Sequence, residues 1–343
     1  MTVGSRADAF QRRHPIISYP LAVVYKFFED QGPYLAALIA YYGLLSLVPL
    51  TLLLSTTLGY VLSGNPGAQQ AVLNSAVSQI PVIKDELGTP GRLGGGAFEL
   101  VIGIAGALYG SLGVGLALQN AVNVAWSIPR NERPNPFKAR VRALLLLATA
   151  GLFVVGTTVL SGVSSKVVAR LDDALPQGLP SDASVWLTRA ATTLLAVIGF
   201  LIAFHLAAAH RPRSRVVLPG AIAMGVLWQF LQYFGKGLVS LVEERSSVSN
   251  QVFTAVLGLI AFLFVASAVI VLCVEVDVVR VRRLYPRALL TPFTDAVELT
   301  EADHRAYEYL ARAQRHKGFE RVEVHFEKSP LELARDRRAA AEG

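Results

Sequence analysis

Six long apolar stretches run through this chain: roughly Leu35–Val61, Phe98–Val124, Ala143–Val163, Val185–Ala209, Val217–Val239 and Val252–Val274. At a rise of roughly 1.5 Å per helical residue, each is long enough to cross a hydrocarbon core of about 30 Å. A lipid core offers no water to satisfy backbone amides, so segments of this kind are helices. The connections between them sort by sign of charge. Arg6, Arg12, Arg13 and Lys26 precede the first stretch, and Arg130, Arg133, Lys138, Arg140 and Arg142 follow the second against a lone Glu132. Arg211, Arg213 and Arg215 follow the fourth, and Arg280, Arg282, Arg283 and Arg287 follow the sixth. The intervening connections are neutral or acidic: Lys84 and Arg92 face Asp85 and Glu86, Lys166 and Arg170 face Asp172, Asp173 and Asp182, and Arg245 faces Glu243 and Glu244. The positive-inside rule then puts both termini in the cytoplasm.

Composition agrees with this reading. Of the 343 residues 53% are hydrophobic and only 17% charged, which is too apolar for an ordinary soluble domain. The formal charge of +7 resides where membrane topology demands it, so no nucleic-acid partner is expected. The single cysteine, Cys273, lies in an apolar stretch and excludes an intramolecular disulfide. No short apolar segment with a small-residue cleavage site precedes the first stretch, which reads as a signal anchor.

The expected fold is all-α: a polytopic membrane protein with six transmembrane helices and both ends inside. Residues 1–34 form a cytoplasmic arm that includes an interfacial helix over Ile16–Asp30, with Gly32–Pro33 as the elbow into the membrane. Residues 35–279 form the membrane domain, and 280–343 a cytoplasmic polar tail. The first outer connection, Ser63–Ala97, reads as an amphipathic surface helix followed by a Gly94–Gly95–Gly96 hinge. In the tail, Thr300–Asp303 marks a helix start, and Ser329–Gly343 has the composition of a disordered end.

Polar residues inside apolar stretches are costly and therefore informative. Pro49 removes a donor from the first span, either as a plain packing kink or as a broken helix near substrate. Gly106 with Gly110, and Ser111 with Gly115, are small-xxx-small pairs that let a second helix approach closely, for packing or for sliding contact. Gln119 and Asn123 share one face at the end of the second span. In the fifth span Gln229, Gln232 and Lys236 form a polar stripe that must face protein or water. It lines a water-filled cavity, or Lys236 snorkels outward to pair with Glu243 or Glu244. At the end of the sixth, Glu275 is open to ion pairing or to proton or cation coupling, and Asp277 with Arg280 reads as an ion pair at the inner boundary. The six histidines, His14, His205, His210, His304, His316 and His325, have no metal-ligand spacing. No nucleophile elbow, P-loop or dinucleotide fingerprint occurs, so no metal, cofactor or catalytic residue is expected.

Four phrases resemble signatures of the YihY/virulence factor BrkB family. They are Ala40-Tyr41-Tyr42-Gly43-Leu44-Leu45-Ser46-Leu47-Val48-Pro49-Leu50, the run from Tyr109-Gly110-Ser111 through Leu118-Gln119-Asn120-Ala121-Val122-Asn123-Val124-Ala125-Trp126 to Pro129, Leu218-Pro219-Gly220-Ala221 with Trp228, and Glu275-Val276-Asp277 with Arg280. Together they cover about residues 15–285, with Cys273-Val274 standing where the family usually has Gly-Ala. The resemblance implies a bacterial inner-membrane protein, with links to envelope integrity or lipid export. The family's old ribonuclease BN label implies RNA cleavage, for which this chain has no metal-binding pattern. The expected function is transport or flipping of a lipid or other amphiphilic envelope component, with membrane lipids as partners. A path lined by Tyr41, Asn123, Gln229, Gln232, Lys236 and Glu275 is expected. A non-transporting scaffold for envelope proteins is the alternative.

Overall fold

The computed structural model describes residues 3–61, 67, 97–174, 183–210, 212–245 and 248–342. Within the helices, the side chains of 48–61, 97–104, 161–174 and 236–245, among others, lie outside that description. The described residues are helical or irregular, with no strand among them. The order is α1 (Val3–Arg13), α2 (Pro15–Glu29), α3 (Gly32–Val61), α4 (Ala97–Ala125), α5 (Pro136–Ala174), α6 (Ala183–Ala207), α7 (Ser214–Arg245), α8 (Val248–Arg282), α9 (Glu301–Ala313) and α10 (Pro330–Glu342).

The six apolar stretches correspond to α3 through α8. Among the described residues four segments are long and apolar enough to cross a membrane: Pro136–Thr157, Thr188–Ala207, Ser214–Gly235 and Val256–Arg282. Gly32–Leu47 of α3 is apolar but shorter. The expected surface helix and glycine hinge within Ser63–Ala97 lie outside the described residues. Residues 330–342, expected to lack structure, form α10.

Close backbone approach organises the bundle, and it occurs where small residues allow it. A Cβ on Gly110 of α4 would meet the Ser46 backbone of α3 at 2.8 Å, and one on Gly115 would meet Ala143 of α5 at 2.7 Å. A Cβ on Gly113 would meet the Tyr42 ring at 2.1 Å. Gly110 and Gly115, one from each small-xxx-small pair, therefore serve helix contact within this chain.

The best-buried core lies at one end. Ala22 and Val23 of α2, Val122 and Ala125 of α4, Phe204 and Ala207 of α6, Val217 and Met224 of α7 and Val278 and Val279 of α8 pack together there. The amino-terminal arm and the segment after α8 meet at this same end. Gln11 Nε2 donates to the Arg287 carbonyl at 2.5 Å, and Arg12 Nη2 to the Glu298 carbonyl at 3.0 Å. Several cations of the basic connections satisfy helix-terminal carbonyls or acids there. Arg142 Nη1 donates to the Ala208 carbonyl at 3.0 Å, just past α6. Arg315 pairs with Glu132, joining the tail to the α4–α5 connection.

Candidate functional site

Helix α2 begins at a proline that suits a first helical turn, and it buries one face. Ser18, Ala22, Val23, Lys26 and Phe27 recur at helical spacing and point inward. The Tyr19 hydroxyl fixes the helix to α8 by donating to the Val276 carbonyl at 2.6 Å. Burial, with the Asp277 charge next, raises the Tyr19 pKa from 10.0 to about 12, so this donor stays protonated. The elbow into α3 places Gln31 at φ 57°, and a Cβ on Gly32 would lie 2.3 Å from the Phe27 ring. Glycine is the side chain that fits there.

On the inward face, Lys26 is 3% exposed, Asp30 5% and Glu275 of α8 0%. The Lys26 ammonium donates to Asp30 one turn on and to the Ala125 carbonyl at 3.2 Å. Glu275 Oε2 lies 3.8 Å from the same ammonium. Neither Glu275 oxygen accepts a hydrogen bond from a described residue. The Ala125 and Trp126 carbonyls are available because α4 ends here, with Ser127 at φ 45°. Arg282 takes the second of them, donating to the Trp126 carbonyl. Its guanidinium lies 3.9 Å over the Tyr309 ring. One ammonium thus lies between two buried carboxylates, while the neighbouring guanidinium uses Nη2 on the Trp126 carbonyl and leaves Nη1 without a hydrogen-bond partner among the described residues.

One turn of α2 past Lys26, Glu29 belongs to a second ionic cluster. Arg287, 0% exposed, grips Glu29 with two nitrogens (Nη1–Oε2 3.0 Å, Nη2–Oε1 2.5 Å) and Asp303 with a third (Nε–Oδ1 2.5 Å). Asp303 Oδ2 accepts from the backbone amides of Ala288 at 3.1 Å and Thr300 at 2.8 Å, closing a capping box with Thr300 at the start of α9. The expected helix start is therefore present, and its acid also serves a buried arginine. Burial works against the Arg287 charge, but Glu29 and Asp303 outweigh it and its pKa rises. Asp8 accepts from the Leu289 amide at 3.0 Å, and Tyr25 donates to the Leu289 carbonyl. The tail is tied to α1 and α2 along this whole segment.

Asp277 and Arg280, expected as an ion pair, both take hold of the α7 backbone instead. Asp277 Oδ1 accepts from the Gly220 amide at 2.8 Å. Pro219 has no N–H to give the Arg215 carbonyl one turn back. Arg280 Nη2 supplies that donor at 3.2 Å and also reaches the Val216 carbonyl at 2.9 Å. A Cβ on Gly220 would lie 2.3 Å from the Cys273 carbonyl oxygen and 2.4 Å from Asp277 Oδ2. The contact is tight although Cys273-Val274 replaces Gly-Ala, because the missing side chain is the one on α7.

The residues of the expected path lie on α3, α4, α7 and α8. Asn123 is buried, and its Oδ1 accepts from the Ala209 amide at 2.9 Å, which ties α4 to the end of α6. Gln229 Nε2 bridges to Thr192 at 3.2 Å and Thr193 at 3.1 Å on α6. Gln232 is half-buried one turn along. The side chains of Lys236 and Pro49 lie outside the described residues. Gly106 is half-buried and Ser111 buried, both on α4. Tyr41 is 56% exposed on α3 and stacks edge-on against Tyr42 at 5.3 Å, and Tyr42 stacks against Tyr109 of α4 at 6.3 Å. Glu275 sits at the basic end, as Asn123 does.

A profile of the virulence factor BrkB family matches residues 23–295, from within α2 to just past Arg287. The chain belongs to the virulence factor BrkB family. It is a membrane protein of that family, with apolar helices long enough to span a bilayer. An uncharacterized protein of Dickeya dadantii (strain 3937) is 25% identical over 283 residues, covering 76% of this chain and 83% of its own length. No solved structure matches. In the folded chain the BrkB-like phrases pair off as contacts: the first with the second through Gly110 and Ser46, the third with the fourth through Gly220 and Asp277. Sequence reasoning missed Lys26, Asp30 and Arg287 because each lies outside the apolar stretches. Their burial depends on helices distant in the chain. A signal was present for Lys26 and Asp30, an i, i+4 pair on a helix otherwise rich in aromatic and aliphatic residues.

Proposed function

We propose that this BrkB-family protein is a six-span inner-membrane transporter, with both termini cytoplasmic, that moves a lipid or other amphiphilic envelope component. The observation that carries the reading is the tyrosine group of α3 and α4. Tyr41 and Tyr109 are 56% and 67% exposed, and both rings stack on Tyr42 between them. Tyr41 lies nine residues after the start of α3, which puts it roughly 14 Å along the helix, near mid-depth of a bilayer. Interfacial tyrosines belong at the two headgroup levels. Exposed hydroxyls at mid-depth instead suit passage of a molecule with a polar head and an apolar body. The meeting of the amino-terminal arm with the post-α8 segment at one basic end supports an even number of crossings, and the positive-inside rule assigns that end to the cytoplasm.

The test is reconstitution into vesicles with a fluorescent phospholipid, followed by chemical quenching from outside. Transport predicts translocation above protein-free vesicles, lowered several-fold by Tyr41→Ala with Tyr109→Ala. Translocation equal to empty vesicles, together with a stable protein that co-purifies, would favour the scaffold reading instead.

A further inference from the structure

Two carboxylates share one ammonium at the α2–α8 contact, and packing alone does not require the second. Asp30 has the Lys26 hydrogen bond. Glu275 has the same ammonium only at 3.8 Å, has no hydrogen-bond donor among the described residues, and is fully buried. Its neighbours along α8 offer nothing polar in compensation: Val271, Val278 and Val279 are each 0–1% exposed. The charged groups that face it are Lys26 and Asp30 from α2 and Arg282 from α8. Arg282 gives Nη2 to the Trp126 carbonyl and lies over the Tyr309 ring, while its Nη1 has no hydrogen-bond partner among the described residues and makes no ion pair with Glu275 there. From α4 the contribution is the Ala125 carbonyl, which competes for Lys26. An ionised carboxylate in such a place is disfavoured by burial and by the second carboxylate, and it is poorly compensated by a shared cation.

We propose that Glu275 is a proton-binding site, and that α2 closes over it. A proton taken from water at the basic end bonds to one Glu275 oxygen, giving a neutral acid. That acid then donates a hydrogen bond to Asp30, which keeps its ion pair with Lys26. Release of the proton restores the carboxylate and draws Lys26 toward it. Glu275 is two residues, about half a helical turn, from Asp277 and its Gly220 contact, so the same stretch of α8 faces both the proton and α7. Use of this proton to drive transport rests on the transport reading above, whereas the proton site itself stands on the geometry.

The experiment is infrared difference spectroscopy of the full chain in lipid nanodiscs, titrated from acidic to alkaline pH. The expected result is a protonated-carboxyl carbonyl band that disappears as pH rises and is missing in Glu275→Gln. Lys26→Met removes the shared cation and should tighten proton binding by at least about tenfold, moving the midpoint upward. Should the glutamine variant fail to fold, wild-type protein labelled with carboxyl-13C glutamate replaces it, and the titrating band must shift with the label. A band that persists unchanged in Glu275→Gln, or that ignores the glutamate label, overturns the proposal, as does the lack of any titrating band. A titrating band in a protein that moves no lipid leaves this site standing and removes the transport reading. Lipid movement without the band does the reverse.

Discussion

The two ionic clusters on α2 each set one cation, arginine or lysine, against an aspartate and a glutamate, and they differ in saturation. At Arg287, three guanidinium nitrogens meet two carboxylates, and the remaining Asp303 oxygen is taken by backbone amides. At Lys26, one ammonium faces two carboxylates, and Glu275 is left without a hydrogen bond from any described residue. A buried ion pair offsets its desolvation only when its lone pairs and protons are filled. The Arg287 cluster meets that condition and the Lys26 cluster does not. The first therefore reads as architecture, fastening the tail to the arm. The second reads as a place where charge is meant to change.

The largest expected effect tests the first half of this contrast. Arg287→Ala would strand Asp303 in the core and leave Glu29 half-covered, which costs about 3–5 kcal/mol by analogy with other broken buried pairs. Detergent-purified protein should lose most of its thermal stability, and the segment after α8 should become open to protease. An Arg287→Ala protein that melts like wild type would show that the cluster does not hold the tail. Next in size is Gly220→Ala. Its new methyl meets a backbone oxygen at 2.3 Å, so α7 and α8 must separate, at about 1–3 kcal/mol. Ala221→Gly, one position on, creates no such clash and serves as the control for changed helix propensity. Thr300→Ala follows at about 1 kcal/mol, the ordinary cost of a lost helix cap. Its effect should appear as faster amide exchange in α9 alone.

Glu275→Gln belongs at the small end of the same series and sharpens the contrast directly. Removing a buried charge that lacks hydrogen bonds should change stability by less than about 1 kcal/mol in either direction, because the amide is nearly isosteric and Lys26 retains Asp30. A loss comparable to that of Arg287→Ala would mean that Glu275 is as structural as Asp303.

The degree to which sequence revealed this follows from where each signal lies. The six helices were legible because apolar length is a local property, and α3 through α8 fall on the six stretches. The capping box at Thr300 was legible for the same reason. The role of Asp277 was not. Its partner is a glycine amide 57 residues away, exposed by a proline whose meaning depends on what packs beside it. The fifth-span stripe was legible only in part. Gln229 faces protein, as its cost in lipid requires, and its partners are two threonines of α6. Polarity inside a span announces a partner without naming it. Lys26 and Asp30 lay outside the spans altogether, where polar residues attract no notice until a fold buries them.

The remaining effect concerns how α2 is held over Glu275, and it is a matter of pH. Tyr19 donates to Val276, and its pKa is raised to about 12 from 10.0, so the folded state favours the neutral phenol. A group whose folded pKa lies above its unfolded value stabilises fully below the unfolded value, and that stabilisation fades as pH rises through the folded one. The wild-type melting temperature should therefore decline between pH 10 and about 12. Tyr19→Phe gives up one hydrogen bond, about 1 kcal/mol, and starts lower at neutral pH. Its alkaline decline should be shallower, with the remainder attributable to Tyr25, whose pKa is also raised, first by burial and then by Asp8. Parallel curves for the two proteins would mean that the alkaline loss arises elsewhere. The α2–α8 contact would then not be the joint that opens when the helix loosens over Glu275.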